Sequence, residues 1–296
     1  MKNLDNCNIQ RATNAIRKWQ SLVRNSLTLV VVVGALAACA NSNDRRAAEL
    51  RLQQQRRAIA MWQERCKKSG EFIHKTVEGV EGVYLVNVRM RTNRGESERD
   101  QFELDDPYGH DSIKDNYILN FLHGFYYRTP ETTPKIAGGP PRIGYSYVEA
   151  IDPNDGQLTR YTGRVDEPWQ QDKSYLKGYT RFMLDRAPIE KRTARYGVRF
   201  EDISTRVDRE HWIAGSSLKV IDLKTQEVIA ERVGYMVDWA QGSRAGSRQP
   251  WTFAADNACP DFYRHYPRRG GNASGEQPGQ TLDFVEQVLR PTRRKP

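Results

Sequence analysis

Residues 26–38 (SLTLVVVVGALAA) form an uncharged apolar run that ends directly on Cys39. No other stretch restricts the chain so sharply. As a helix the run reaches about 20 Å, short of the roughly 30 Å of bilayer hydrocarbon, so it suits the apolar part of a secretory signal better than a membrane span. Lys2, Arg11, Arg17, Lys18 and Arg24 precede it against Asp5 alone, the basic flank that such a signal carries.

Leu36-Ala37-Ala38-Cys39 sets small residues at the cleavage positions and a cysteine immediately after them. These four residues resemble the bacterial lipobox. The resemblance implies that residues 1–38 are a signal peptide that is removed, with diacylglycerol thioether-linked to Cys39 and its new amino group acylated. An ordinary signal peptide or an uncleaved anchor is the alternative. Several acyl chains hold a protein stably where one is marginal. In lipobox proteins an aspartate after the cysteine favours the inner membrane; Ala40 and Asn41 stand here instead, which points to the periplasmic leaflet of the outer membrane.

Removal of residues 1–38 leaves 258 of the 296 residues, enough for one large domain or two small ones. It takes away five of the 46 basic residues and one of the 37 acidic ones, leaving a net charge of +5. That charge is spread along the chain, not gathered into the stripe that a nucleic acid requires, so no nucleic-acid partner is expected. Cys7 leaves with the signal and Cys39 takes lipid, so Cys66 and Cys259 remain. In an oxidising compartment two cysteines suggest one disulfide; two free buried thiols are the alternative.

Residues 39–44 read as the lipidated cysteine and a short leash, 45–266 as a single globular domain, and 267–296 as a Gly/Pro-rich linker, a short helix and a basic tail. Within the domain, Arg45–Lys68 has no Gly or Pro, and Ala48, Leu52, Ile59, Trp62 and Cys66 share one narrow helical stripe. Val80–Met90 alternates as a strand, with Tyr84, Val86, Val88 and Met90 on one face and Asn87 and Arg89 on the other. Ile113–His123 suggests a short helix and Thr129–Pro141 a loop. Strand patterns follow at Gly144–Ile151, Gln157–Gly163, Tyr175–Leu184, Tyr196–Ile203, Trp212–Ile221 and Glu227–Trp239. Two hairpin turns, Asp152–Gly156 and Asp222–Gln226, carry matching flanks at identical offsets, which raises an internal duplication as a possibility beside ordinary shared turn grammar. Thr281–Leu289 is amphipathic. Strands outnumber helices and no β-α alternation appears. The expected class is α+β, an N-terminal amphipathic helix packed on a mainly antiparallel sheet, with a short C-terminal helix.

Chemical motifs are sparse. Gly242-Ser-Arg-Ala-Gly246 has the wrong centre for a nucleophile elbow. Ser174-Tyr-Leu-Lys177 fits S-x-x-K only formally, beside a strand pattern and without the partner motifs. His74, His110, His123, His211 and His265 show no metal-ligand spacing, so no metal or other cofactor is expected. The densest polar cluster is Asp105, Asp106, His110 and Asp111, residue types able to bind a cation or to run acid–base hydrolysis. The same residues equally make a surface turn around Pro107 and Gly109. Two basic–aromatic segments, His123–Arg128 and Phe262–Arg269, offer adhesive surface for a protein, lipid or glycan.

From Glu64 onward the chain resembles a group of proteobacterial envelope lipoproteins. The matching stretches are Arg65-Cys-Lys-Lys68 with Thr76–Val88, Leu104–Gly109, and Tyr196–Pro260 (YGVRFEDIST…REHWIAGSSLKVIDLKTQEVIAERVGYM…GSRAGSRQPWTFAADNACP). Both remaining cysteines fall inside it, which fits their pairing. The resemblance implies no catalytic residues. The reading that follows is a membrane-anchored, non-enzymatic binding protein with a protein partner, as an immunity-type guard against a secreted effector or an envelope-assembly factor. The alternative is a periplasmic hydrolase using the Asp105–Asp111 cluster.

Overall fold

The computed structural model describes residues 44–90, 100–109, 113–123, 144–166, 181–262, 277 and 279–292. By internal packing the chain divides into two units, residues 1–54 and 55–296. A continuous helix, α1, covers residues 44–66. Its part in the first unit is exposed at every described position, Leu50 and Leu52 included.

In the second unit the remaining elements are β1 (Gly70–Ile73), β2 (Val77–Val80), β3 (Gly82–Leu85), α2 (Asp115–His123), β4 (Tyr147–Ile151), β5 (Leu158–Asp166), β6 (Arg181–Pro188) and β7 (Tyr196–Asp202). After them come α3 (Arg206–Glu210), β8 (Ile213–Asp222), β9 (Glu227–Val237), α4 (Pro250–Ala254), β10 (Ala258–Cys259), α5 (Gln280–Val288) and β11 (Leu289–Pro291). Nine of the described strands make one sheet in the order β1-β9-β8-β7-β3-β4-β5-β6, with β10 beside β9 as well. The expected α+β class is therefore present, a mainly antiparallel sheet with an N-terminal and a short C-terminal helix.

The sheet is mixed at one strand. β3 has a parallel neighbour on each side, β4 and β7, while every other pairing in the sheet is antiparallel. A parallel neighbour needs a long crossover, and residues 86–146, which contain α2, supply it. Two antiparallel meanders, β4-β5-β6 and β7-β8-β9, thus flank one central strand. The matching hairpins do not occupy equivalent places in them: β4 opens its meander, whereas β8 is the middle strand of its own. Their likeness is turn chemistry. Asp152 Oδ1 accepts from the Asn154 amide at 2.8 Å and Asp222 Oδ1 from the Lys224 amide at 3.0 Å, the aspartate turn that either hairpin forms locally.

Strand alternation sorts the core. On one face Val83, Leu85, Val148, Ala150, Leu218 and Val220 pack with Ile118 and Phe121 of α2 and with Phe284, Val285 and Val288 of α5. Each such side chain contributes about 2 kcal/mol when fully buried, which makes the nine-residue α5 part of the main core. A second cluster on the same face holds Leu104, Tyr108, Ala214, Met236 and Trp251. On the opposite face Ile213, Tyr235 and Val237 receive Ala58, Met61 and Trp62 from α1. The apolar stripe of α1 is therefore buried only in part: Ile59, Trp62 and Cys66 are half-buried, and Ala48 and Leu52 are exposed.

The strand expected over Val80–Met90 stops at Leu85, and the odd-numbered face, with Val83 and Leu85, turns inward, the reverse of the apolar face expected. Val86 and Met90 are exposed while Arg89 is buried. Asn87 extends the pairing by side chain, donating to Phe200 O at 2.8 Å and accepting from Phe200 N at 3.1 Å. Once the chain leaves the ladder, the demand of a buried carboxylate sets which way Arg89 turns. Among the described residues no helix is long and apolar enough to cross a membrane.

Cys66 and Cys259 are joined by a disulfide, with Cα atoms 5.6 Å apart across 193 residues of sequence. It fastens the end of α1 to β10. Reduction is expected to slow the protein in non-reducing gels, and Cys66→Ser to abolish the shift. Cys66→Ser should also cost about 4 kcal/mol in urea unfolding, because the bridge restricts so long a loop in the unfolded chain.

Candidate functional site

The Asp105–Asp111 cluster splits at its first two residues. Asp105 is exposed; Asp106 is buried beneath Pro107, Tyr108 and Gly109. Asp106 Oδ2 accepts from Arg89 Nη1 at 2.7 Å and from Ser216 Oγ of β8 at 2.9 Å, and Oδ1 accepts from the Gly109 amide at 3.0 Å. Arg89 lies flat over the Phe200 ring, 3.9 Å from its centroid. Both carboxylate oxygens are thus engaged, and the loop is held on the sheet between the two apolar clusters of that face.

Two glycines permit this approach. A Cβ on Gly109 would come within 2.1 Å of the Arg89 guanidinium, and one on Gly234 of β9 within 2.1 Å of the Tyr108 hydroxyl. Tyr108 therefore rests directly on the β9 backbone. Burial pushes its hydroxyl up to about 12, Asp106 adds to that, and Arg232 opposes it. Gln277 closes the loop from outside, its Nε2 donating to Tyr108 O at 2.7 Å and Pro107 O at 3.1 Å. His110 and Asp111 lie outside the described residues, as do Cys39, the lipobox, Ser174 and Lys177, and most of both basic–aromatic segments. Phe262, from the second segment, is buried against Tyr108.

Five further buried carboxylates follow the same rule: each grips a loop near a strand or helix end. Glu149 accepts from the Thr193 and Ala194 amides, both at 2.9 Å, and from Arg160 at 2.7 Å. Asp238 accepts from the Ala240 and Gly242 amides and from both Nη atoms of Arg248. Asp208 accepts from the Thr205 amide and from Arg65 of α1. Asp222 takes Arg195, and Asp152 takes the Tyr161 hydroxyl. Burial raises the Glu149 carboxyl, but the Ala194 amide, Arg160 and Thr193 outweigh it and leave it below the usual range. Burial likewise loses to the Asn154 amide and Tyr161 at Asp152, and Arg195 lowers Asp222. Asp202 runs the other way, raised by burial against the pull of Arg209.

Sequence reasoning missed a surface at one end of the sheet, where β7 and β9 end and β8 begins. Residues 100–104, 203–212 and 238–254 cap it. Trp212 and Trp251 pack 5.0 Å apart, and Arg209 ties the segments together by donating to Leu104 O, Gln101 O and Asp202 and by lying over the Trp251 ring. On this frame Phe102, Val207, Trp239 and Phe253 are exposed, at 46%, 47%, 44% and 39%. Arg206 stacks on Phe102 and Arg248 on Phe253. No periodicity marks these residues, because they come from three separate loops.

Among the described residues no group of three or more His, Cys, Asp or Glu side chains is placed to hold a metal ion. Comparison with protein-family models, curated proteins and solved structures found no match.

Asp106→Asn keeps the shape of the loop but strands the buried Arg89 charge, so it should cost about 3 kcal/mol in urea unfolding. Acid should weaken the fold as well. Glu149, Asp152 and Asp222 are lowered in the folded state, so their stabilisation is complete above the unfolded carboxyl range, about pH 4, and is lost as pH falls through their folded values. Asp202, being raised, acts in the opposite sense. Urea midpoints measured from pH 6 to pH 3 should fall steadily.

Proposed function

We propose that the chain is a lipid-anchored protein of the bacterial envelope that works by binding a protein partner. Cleavage before Cys39 and acylation of that cysteine hold it at the periplasmic leaflet of the outer membrane. One observation carries the binding reading over the hydrolase: Asp106, the cluster residue nearest the core, spends both oxygens on Gly109, Arg89 and Ser216. A buried carboxylate so engaged serves to fix a loop, which supports a structural use of the cluster over a chemical one. The lipobox and the likeness to envelope lipoproteins support the location. A rigid, loop-clamped domain suits either a guard that blocks a secreted effector or a part of an assembly complex.

Labelled palmitate should enter the wild type and not Cys39→Ser. Crosslinking in the envelope followed by purification should then recover one defined protein partner, a secreted toxic enzyme for a guard or an assembly component for the other role. Hydrolysis of an envelope substrate by the purified protein, lost in His110→Ala, would establish the enzyme instead.

A further inference from the structure

The second unit shows where its chain arrives. α1 runs along β9 in step with it: Ala58 packs with Val237, and Trp62 Nε1 reaches Tyr235 O at 3.5 Å. Cys66 is bonded to Cys259, whose register partner is Tyr235, and Gly70 pairs with Val233. Followed backwards, this path climbs β9 toward its C-terminal end. Residue 55 therefore lies at the end of the sheet that the loop cap covers.

We infer that this cap is the face that rests on the lipid bilayer. The inference rests on the lipid anchor proposed above: the acylated Cys39 is 16 residues before Gln55 in the sequence, and the chain enters at the cap. Four large apolar side chains from three loops are exposed there, a tryptophan and two phenylalanines among them. Tryptophan seats itself at the bilayer interface, its ring among the acyl chain ends and its N–H in the headgroup layer. Burying such rings against lipid gains apolar contact that water denies them. The frame is rigid enough to present them: Trp239 follows Asp238, which is clamped by Arg248 and two loop amides, and Phe253 sits on α4 beside the buried Trp251. Exposed Asp100, Glu103 and Asp105 border Phe102, while Arg206 stacks on Phe102 and Arg248 on Phe253, so the charge around the rings is mixed and the attraction to lipid is apolar.

The test uses the full-length lipoprotein, processed in cells and reconstituted into phosphatidylcholine vesicles, with and without bromine on the acyl chains. Brominated lipid should quench the tryptophan fluorescence of the wild type about twice as strongly as that of Trp239→Phe, at low and at high salt alike, because only an interfacial indole comes close to the bromines. Phe253→Ala, at an exposed position, should reduce the Trp239 quenching while far-UV circular dichroism stays unchanged. Vesicle-bound protein whose quenching is equal in the wild type and Trp239→Phe overturns the docking and leaves the anchor standing. If Trp239 is instead shielded from acrylamide only when envelope proteins are added, the cap belongs to a protein partner and the docking is again overturned. Protein that fails to float with the vesicles and takes up no palmitate removes the anchor and the docking together.

Discussion

An ionised carboxylate removed from water must find hydrogen-bond donors, and here it finds them in loops. Six buried carboxylates of the described residues, Asp106, Glu149, Asp152, Asp208, Asp222 and Asp238, each hold the chain where it leaves a strand or helix. Five of them share the work with an arginine. The arrangement explains why a sheet with long connections has defined edges. Apolar burial brings α2, α5 and the strands together, but it says little about where a loop should lie. The carboxylates say it, because an unpaired one costs more than a misplaced leucine.

Asp106 is the most consequential of the six. It sits between the two apolar clusters on the covered face of the sheet, where Ser216, Arg89 and Gly109 converge on it. Without it, the turn that sets Tyr108 against Gly234 would lose its anchor on the sheet. The same feature that looked chemical in the sequence is thus an assembly device. Residue types suited to catalysis are also those suited to holding a loop; only the direction in which the oxygens point separates the two uses.

Much of the fold was legible because its signals are local. The turns at Asp152 and Asp222, the helix of Asp115–His123 and the amphipathic Gln280–Val288 follow from side chains within a few residues of one another. The pairing of Cys66 with Cys259 followed from accounting for every cysteine. What escaped was set at a distance. The parallel neighbours of β3 depend on a crossover that leaves no alternation of strand and helix to read. Arg89 was assigned to the polar face because its partner, Asp106, is 17 residues away. Periodicity showed which side of α1 is apolar but not how far the surface beneath it extends, so Leu52 was grouped with Trp62. The exposed cap gathers one residue here and one there, and no window along the chain contains it.

The bridge between Cys66 and Cys259 has a mechanical consequence. Tension applied through the N-terminus of this domain enters at Gln55, runs along α1 and reaches Cys66. There it can pass by covalent bond into β10, which is paired along β9. The helix can be lifted from Ile213 and Val237, but peeling stops at the sulfur atoms. Most of the 192 residues between the two cysteines, which include eight of the nine strands of the main sheet, lie away from that path. A pull on the tether is therefore taken first by β10 and β9 at the border of the sheet, while β3 and the β4-β5-β6 meander lie beyond it.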